Sequence, residues 1–195
     1  ADSASYLVRF YRAFSRGPAI PTDLTLFDPG SLPRNPSLSA ELADFVAEQD
    51  IIYVSGGNTV NLLAMWRAHG LDDIFRDAWL GGKILCGLSA GMICWFRASV
   101  TDSFGAVDRL DDGLGFLDAS ACPHYDSEAG RRPAYHKFIG NGMPAGYAAD
   151  DGAALHFVGT ELKEVVTSRP HAAAYHVERV GDEIVETQLP ARFLG

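Results

Sequence analysis

Residues 83–91, Lys83-Ile84-Leu85-Cys86-Gly87-Leu88-Ser89-Ala90-Gly91, carry the strongest fold signal in this chain. The apolar run 83–87 predicts a short buried strand, and the apolar residues 92–96 predict a helix after the turn. A G-x-S-x-G pattern between a strand and a helix is the context of a nucleophile elbow, in which the serine hydroxyl projects from a sharp turn. Ser89 is therefore a candidate nucleophile, and the N–H of Ala90 is a candidate oxyanion donor.

A second strand–loop–helix unit lies upstream of this turn. The apolar strand 51–54 runs into Ser55-Gly56-Gly57-Asn58-Thr59, and an apolar helical pattern follows. Glycine pairs after a parallel strand bring backbone N–H groups to a ligand at the carboxyl edge of a sheet. Gly57 could supply the second oxyanion donor. Asn58 could either contact a substrate or cap the following helix.

The rest of the chain extends this alternation of strands and helices. It predicts an α/β fold with a mixed, largely parallel sheet flanked by helices, in one domain over residues 1–195. Further helices are expected near 6–14, 40–49 and 71–80, with a short strand at 24–27 and a proline-rich loop at 29–36. Short strands are expected at 146–149, 153–158, 164–167, 173–178 and 183–188. These last strands predict an antiparallel extension of the same sheet.

Composition excludes several classes of protein. The formal charge of −9 argues against general nucleic-acid binding, and no apolar stretch reaches the roughly 18 residues that a membrane span needs. Three cysteines without C-x-x-C spacing argue against a disulfide framework and a zinc knuckle. Residues 1–7 resemble a helix start more than a signal peptide. We therefore expect a cytoplasmic protein that needs no metal or cofactor.

A serine nucleophile needs a base and a carboxylate that orients it. His124 is the favoured base because it follows Pro123 at the end of a short apolar segment, although an ordinary loop histidine would also fit there. The remaining histidines are His69, His136, His156, His171 and His176. The candidate orienting carboxylates are Asp102, Asp126, Glu128, Asp150 and Asp151.

Taken together, these segments resemble the peptidase E / cyanophycinase family of serine peptidases. The matching segments are Tyr53-Val54-Ser55-Gly56-Gly57-Asn58-Thr59, Gly87-Leu88-Ser89-Ala90-Gly91, Thr101-Asp102-Ser103, Pro123-His124-Tyr125 and Asp150-Asp151-Gly152-Ala153-Ala154. That family is similar in fold to class I glutamine amidotransferases, whose nucleophile at this elbow is a cysteine. The strand and glycine-rich loop with which family members begin have no counterpart ahead of the first helix in this sequence.

The resemblance implies Ser89 as nucleophile, His124 as base and Asp151 as third member, where the family has a glutamate. In peptidase E an arginine after the histidine is thought to hold the aspartate side chain of the substrate, and Arg131 and Arg132 fall in the corresponding place. The implied activity is hydrolysis of small peptides through an acyl-enzyme, by a possible homodimer. A cyanophycinase-like or esterase-like serine hydrolase and a non-catalytic amidotransferase-like binding module are the alternatives.

Overall fold

The computed structural model describes residues 4–24, 26 and 38–195. The helices are α1 (Ala4–Phe14), α2 (Leu38–Ala47), α3 (Thr59–His69), α4 (Leu71–Leu80), α5 (Ala90–Ile93) and α6 (Arg131–Gly140). The strands are β1 (Ile51–Val54), β2 (Ile84–Gly87), β3 (Phe96–Thr101), β4 (Asp108–Leu110), β5 (Leu117–Cys122), β6 (Gly146–Ala149), β7 (Ala153–Val158), β8 (Glu161–Thr167), β9 (Ala174–Val180), β10 (Glu183–Gln188) and β11 (Ala191–Phe193). The predicted strand at 24–27 and the loop at 29–36 fall mostly outside the described residues.

The strands form three sheets. Strands β1 and β2 pair in parallel, six strands follow the order β10-β9-β6-β5-β3-β4, and three follow the order β11-β8-β7. In the six-stranded sheet, β3, β5 and β6 run parallel, whereas β4, β9 and β10 join antiparallel. The prediction of a mixed α/β fold with antiparallel C-terminal strands is thus confirmed.

The expectation that all C-terminal strands extend one sheet is wrong. Both edges of β6 are occupied, because β5 pairs on one side and β9 on the other. The chain that leaves β6 through Asp150-Asp151-Gly152 therefore cannot pair beside β6. It turns away and forms the β7–β8 hairpin, to which β11 adds in parallel.

The helix predicted at 92–96 is also wrong. Helix α5 has only four residues, and β3 begins at Phe96. All residues of β3 except Arg97 are buried, and the strand begins with Phe96 directly after the apolar residues 92–95. Its apolar start therefore reads as a continuation of the helix.

Among the described residues, three clusters of buried apolar side chains hold these layers together. Trp66, Phe75 and Trp95 form edge-to-face and tilted aromatic contacts in the core beside α3 and α4. Helix α6 packs Tyr135 and Ile139 against the six-stranded sheet, and both side chains are almost fully buried. Within the described ranges, no helix has the length and hydropathy of a membrane-spanning segment.

Candidate active site

The turn after β2 holds Ser89 in a strained conformation. Ser89 has φ 53° and ψ −116°, which non-glycine residues rarely adopt. The turn can press against β1 because Gly91 has no side chain: a Cβ at Gly91 would lie 2.0 Å from the carbonyl oxygen of Val54. The sequence therefore forms the elbow that the G-x-S-x-G pattern predicts, with the serine at the start of α5.

His124 follows β5 and is also strained. Its φ is 56°, and in the described part of the chain Ser89 and His124 are the non-glycine residues with positive φ. Strain of this kind costs about 1–3 kcal/mol and collects at functional sites. The next residue fixes the segment to the sheet, because the N–H of Tyr125 donates to the carbonyl of Ala149 over 3.1 Å.

Ser89, His124 and Asp151 meet where β2, β5 and β6 end. His124 Nε2 lies 3.0 Å from Ser89 Oγ, and His124 Nδ1 lies 2.7 Å from Asp151 Oδ1. With the proton on Nδ1, the ring donates to the carboxylate and can accept the serine proton at Nε2. Asp126 stabilises the turn that carries Asp151, because its Oδ1 accepts the N–H of Asp151 over 2.8 Å. Both side-chain distances fall within the range that a nucleophile–base–carboxylate relay needs.

The surroundings of Asp151 favour its ionised form. Burial raises the pKa of Asp151, but hydrogen bonds from His124 and Ser127 and the positive charges of His124 and Arg169 outweigh it, so this pKa lies below its ordinary value. The carboxylate is therefore negative at neutral pH and can stabilise a protonated His124.

Of the two predicted oxyanion donors, Ala90 directly follows Ser89, and Gly57 belongs to a loop whose Gly56 approaches Ser89. Ala90 opens α5, so its N–H belongs to the first turn, where helical amides have no acceptor within the helix. The Gly56–Gly57 loop approaches from β1: a Cβ at Gly56 would lie 3.4 Å from Ser89 Cβ. Gly57 has φ 148°, a conformation that glycine adopts readily.

Asn58 caps a helix, and both polar ends of its side chain are engaged. Its Oδ1 accepts the N–H of Asn61 over 2.9 Å, and its Nδ2 donates to the carbonyl of Ser103 over 2.9 Å. Ser103 Oγ in turn accepts the N–H of Thr59 over 2.9 Å. Asn58 therefore serves as the helix cap, its contact with substrate stays a prediction, and Ser103 holds the glycine loop in place.

Arg131 is a buried cation with partners inside the fold, and its contact with substrate stays a prediction. Its side chain is 3% exposed. Its Nε donates to Glu128 over 2.7 Å, and its Nη1 donates to the carbonyl of Val100 over 3.0 Å. Asp102 lies 3.6 Å from the same guanidinium. Two of the alternative carboxylates are therefore bound to this arginine, and neither orients His124.

Arg132 belongs to a cluster of charged and aromatic side chains around Tyr125, and its contact with substrate stays a prediction. It donates to Glu186 over 2.8 Å, and its guanidinium lies 4.7 Å from the ring centroid of Tyr125. Glu186 also accepts from the Tyr125 hydroxyl over 2.6 Å and lies 2.8 Å from His136 Nε2. Sequence reasoning missed Glu186, because it lies in β10 with no local motif and 61 positions from Tyr125.

The remaining candidates lie away from the relay or serve the fold. Asp150 accepts the N–H of Ala173 over 2.9 Å, which joins the end of β6 to the start of β9. Burial raises the pKa of Asp150, and the hydrogen bond from Ala173 only partly offsets that rise. His156 pairs with Glu164 on the surface at 3.4 Å.

A cavity of about 1010 Å³ opens in front of Ser89 and His124. Its apolar wall includes Trp79, Phe96, Phe116, Leu117, Leu155 and Phe157. Arg169 lines its charged end near Asp151. No group of three or more His, Cys, Asp or Glu side chains in the described ranges is placed to hold a metal ion.

Known proteins match this chain over most of its length. It is 50% identical to "Uncharacterized peptidase YgaJ" of Bacillus subtilis (strain 168) over all 195 residues, which make up 81% of that protein. It is 30% identical to "Uncharacterized peptidase Lmo0363" of Listeria monocytogenes over 93 residues, 45% of each chain. A solved structure named "Putative Peptidase E Protein" from Listeria monocytogenes EGD-e is 20% identical with a TM-score of 0.42, and covers 77% of this chain and 65% of its own. The model of Peptidase family S51 matches residues 1–165, and the chain belongs to that family.

Proposed function

We propose that this peptidase is a serine hydrolase that cleaves short peptides through an acyl-enzyme. The observation that carries the proposal is the hydrogen-bonded relay from Ser89 through His124 to Asp151 at the ends of three strands. Membership of Peptidase family S51 supports peptide hydrolysis as the reaction.

In this mechanism Ser89 Oγ attacks the scissile carbonyl carbon while His124 Nε2 takes the hydroxyl proton. The N–H groups of Ala90 and Gly57 stabilise the oxyanion of the tetrahedral intermediate. His124 then gives the proton to the leaving amine, and the C–N bond breaks. A water molecule, deprotonated by His124, hydrolyses the ester and restores Ser89. Asp151 stabilises the protonated ring in both halves of the reaction.

The size of the cavity supports a small substrate. Its volume of about 1010 Å³ is just above the roughly 300–1,000 Å³ of typical small-molecule sites, which leaves room for a short peptide. Its wall is apolar on one side and charged near Asp151, which suits a peptide with an apolar residue and a charged end.

The test is hydrolysis of a library of di- and tripeptides by the wild type and by variants. Ser89→Ala and His124→Ala should each lower kcat by about 10³-fold or more. His156→Ala is the matched control, since His156 also lines the cavity but pairs with Glu164. Equal losses for His124→Ala and His156→Ala would contradict this mechanism. A binding module without turnover would hydrolyse no peptide of the library.

A further inference from the structure

Arg169 lines the same cavity and lies two residues after the end of β8. Its backbone is anchored, because the N–H of Ser168 donates to the carbonyl of Gly152 over 2.8 Å and the carbonyl of Arg169 accepts the N–H of Ala172 over 3.2 Å. The stem packs on the turn that carries Asp151: a Cβ at Gly152 would lie 3.0 Å from Arg169 Cγ. An anchored stem leaves the guanidinium at the cavity edge.

The guanidinium of Arg169 has no acceptor in residues 4–24, 26 and 38–195, where it makes neither a hydrogen bond nor an ion pair. The other basic groups near the site are engaged. Arg131 binds Glu128, Arg132 binds Glu186, and Lys83 on the cavity wall donates to a backbone carbonyl. The N–H donors of Arg169 are therefore available to a ligand, although its positive charge also acts on the Asp151 carboxylate.

The position of Arg169 identifies the part of the substrate that it can reach. His124 must protonate the leaving nitrogen, so the leaving residue lies beside the imidazole. Asp151 contacts the imidazole on the side opposite Ser89, and the Arg169 stem packs on the neighbouring Gly152. Arg169 can therefore reach a leaving residue that extends from Ser89 past the imidazole.

We propose that Arg169 determines specificity by binding the C-terminal carboxylate of the leaving residue, which limits the enzyme to substrates that end one residue beyond the scissile bond. This inference rests on the proposed peptidase function. Guanidinium and carboxylate form two parallel charge-assisted hydrogen bonds, a geometry that an amide cannot reproduce. A peptide amide, or a peptide extended past the leaving residue, loses this contact.

The kinetic test uses matched substrates: Xaa-Leu dipeptides, their C-terminal amides, and Xaa-Asp-NH₂, which carries a carboxylate only on the leaving side chain. We expect the wild type to prefer the free acid over the amide by about 10-fold or more in kcat/KM, which corresponds to about 1.4 kcal/mol. Arg169→Gln should bring this ratio close to one, mainly through KM, and Arg169→Lys should restore part of it. Arg179→Gln is the control, since Arg179 pairs with Asp182 in the distant β9–β10 hairpin.

Three kinetic results would overturn the inference. They are equal rates for acid and amide in the wild type, a preference that survives in Arg169→Gln, and fast hydrolysis of Xaa-Asp-NH₂, which would assign Arg169 to an acidic side chain.

A binding measurement separates this inference from the proposed function. Calorimetry with Ser89→Ala should give a lower Kd for Ala-Leu than for Ala-Leu-NH₂, and adding Arg169→Gln should remove the difference. If this difference appears although no peptide is hydrolysed, the peptidase function fails and the carboxylate site stands. If acid and amide bind equally or neither binds, the inference about Arg169 is overturned.

Discussion

The role of Asp151 can be tested by changing its charge with little change in shape. In Asp151→Asn the amide can still bond to His124, but it no longer neutralises the imidazolium that forms when Ser89 loses its proton. At an effective dielectric constant of roughly 20–40, unit charges about 4 Å apart attract by about 2–4 kcal/mol. Loss of that attraction slows the chemical step by about 30- to 1000-fold. Replacing a buried triad aspartate by asparagine lowers kcat by about 10⁴-fold. The Asp151 side chain is 34% exposed, so solvent screens its charge and we expect a smaller loss.

The assay measures kcat and kcat/KM on the best dipeptide, with thermal unfolding as a check on folding. Asp102→Asn is the matched control, because Asp102 is 62% exposed and contacts Arg131 at 3.6 Å. We expect its kcat to stay within about 3-fold of the wild type. The reasoning is refuted if Asp151→Asn keeps a similar kcat, or if Asp102→Asn loses as much activity.

Two further predictions concern the scaffold. Gly91→Ala should destabilise the fold by about 1–3 kcal/mol in urea unfolding, because the new Cβ would lie 2.0 Å from the Val54 carbonyl oxygen. Gly130→Ala, whose Cβ would meet its nearest atom at 3.7 Å, should change stability by less than about 0.5 kcal/mol, and equal losses would contradict this packing. Glu186→Gln should cost about 1.5–3 kcal/mol of stability at pH 7, because Glu186 accepts charge-assisted bonds that hold Tyr125. Burial raises the pKa of Glu186, but its three hydrogen-bond donors lower it below the usual 4.5, so its contribution is present above about pH 4.5 and is lost as the pH falls through the folded-state pKa. The difference in unfolding free energy between the wild type and Glu186→Gln should therefore become smaller as the pH falls. A difference that is constant from pH 7 to pH 3 would contradict the ion pair of Glu186.

The elbow could be predicted from sequence because its requirements are local. A strand, two glycines around a serine and a helix start lie within nine residues, so the pattern predicts the strained turn at Ser89. His124 and Asp151 were harder to assign, because their meeting depends on the order of strands β2, β5 and β6. Spacing alone left several candidates for the base and the carboxylate, and the family resemblance selected His124 and Asp151 among them.

The partners of the two arginines that were predicted to bind substrate could not be predicted from the sequence. Arg131 and Arg132 follow the histidine as a pair of cations, but their partners come from β10, from the end of β3 and from Glu128. Burial depends on those distant elements. The position of Arg169 also depends on distant elements. In the sequence it is only a charged residue before a proline, and the β7–β8 hairpin brings it to the cavity.

The central claim is that Ser89 is a nucleophile activated by His124. It is tested most directly by reacting the folded protein with a fluorophosphonate and locating the adduct by peptide mass spectrometry. We expect a single adduct on Ser89 in the wild type, none in Ser89→Ala, and labelling slowed by about 10²-fold or more in His124→Ala. An unlabelled wild type, or an adduct on another residue that persists in Ser89→Ala, would contradict the account.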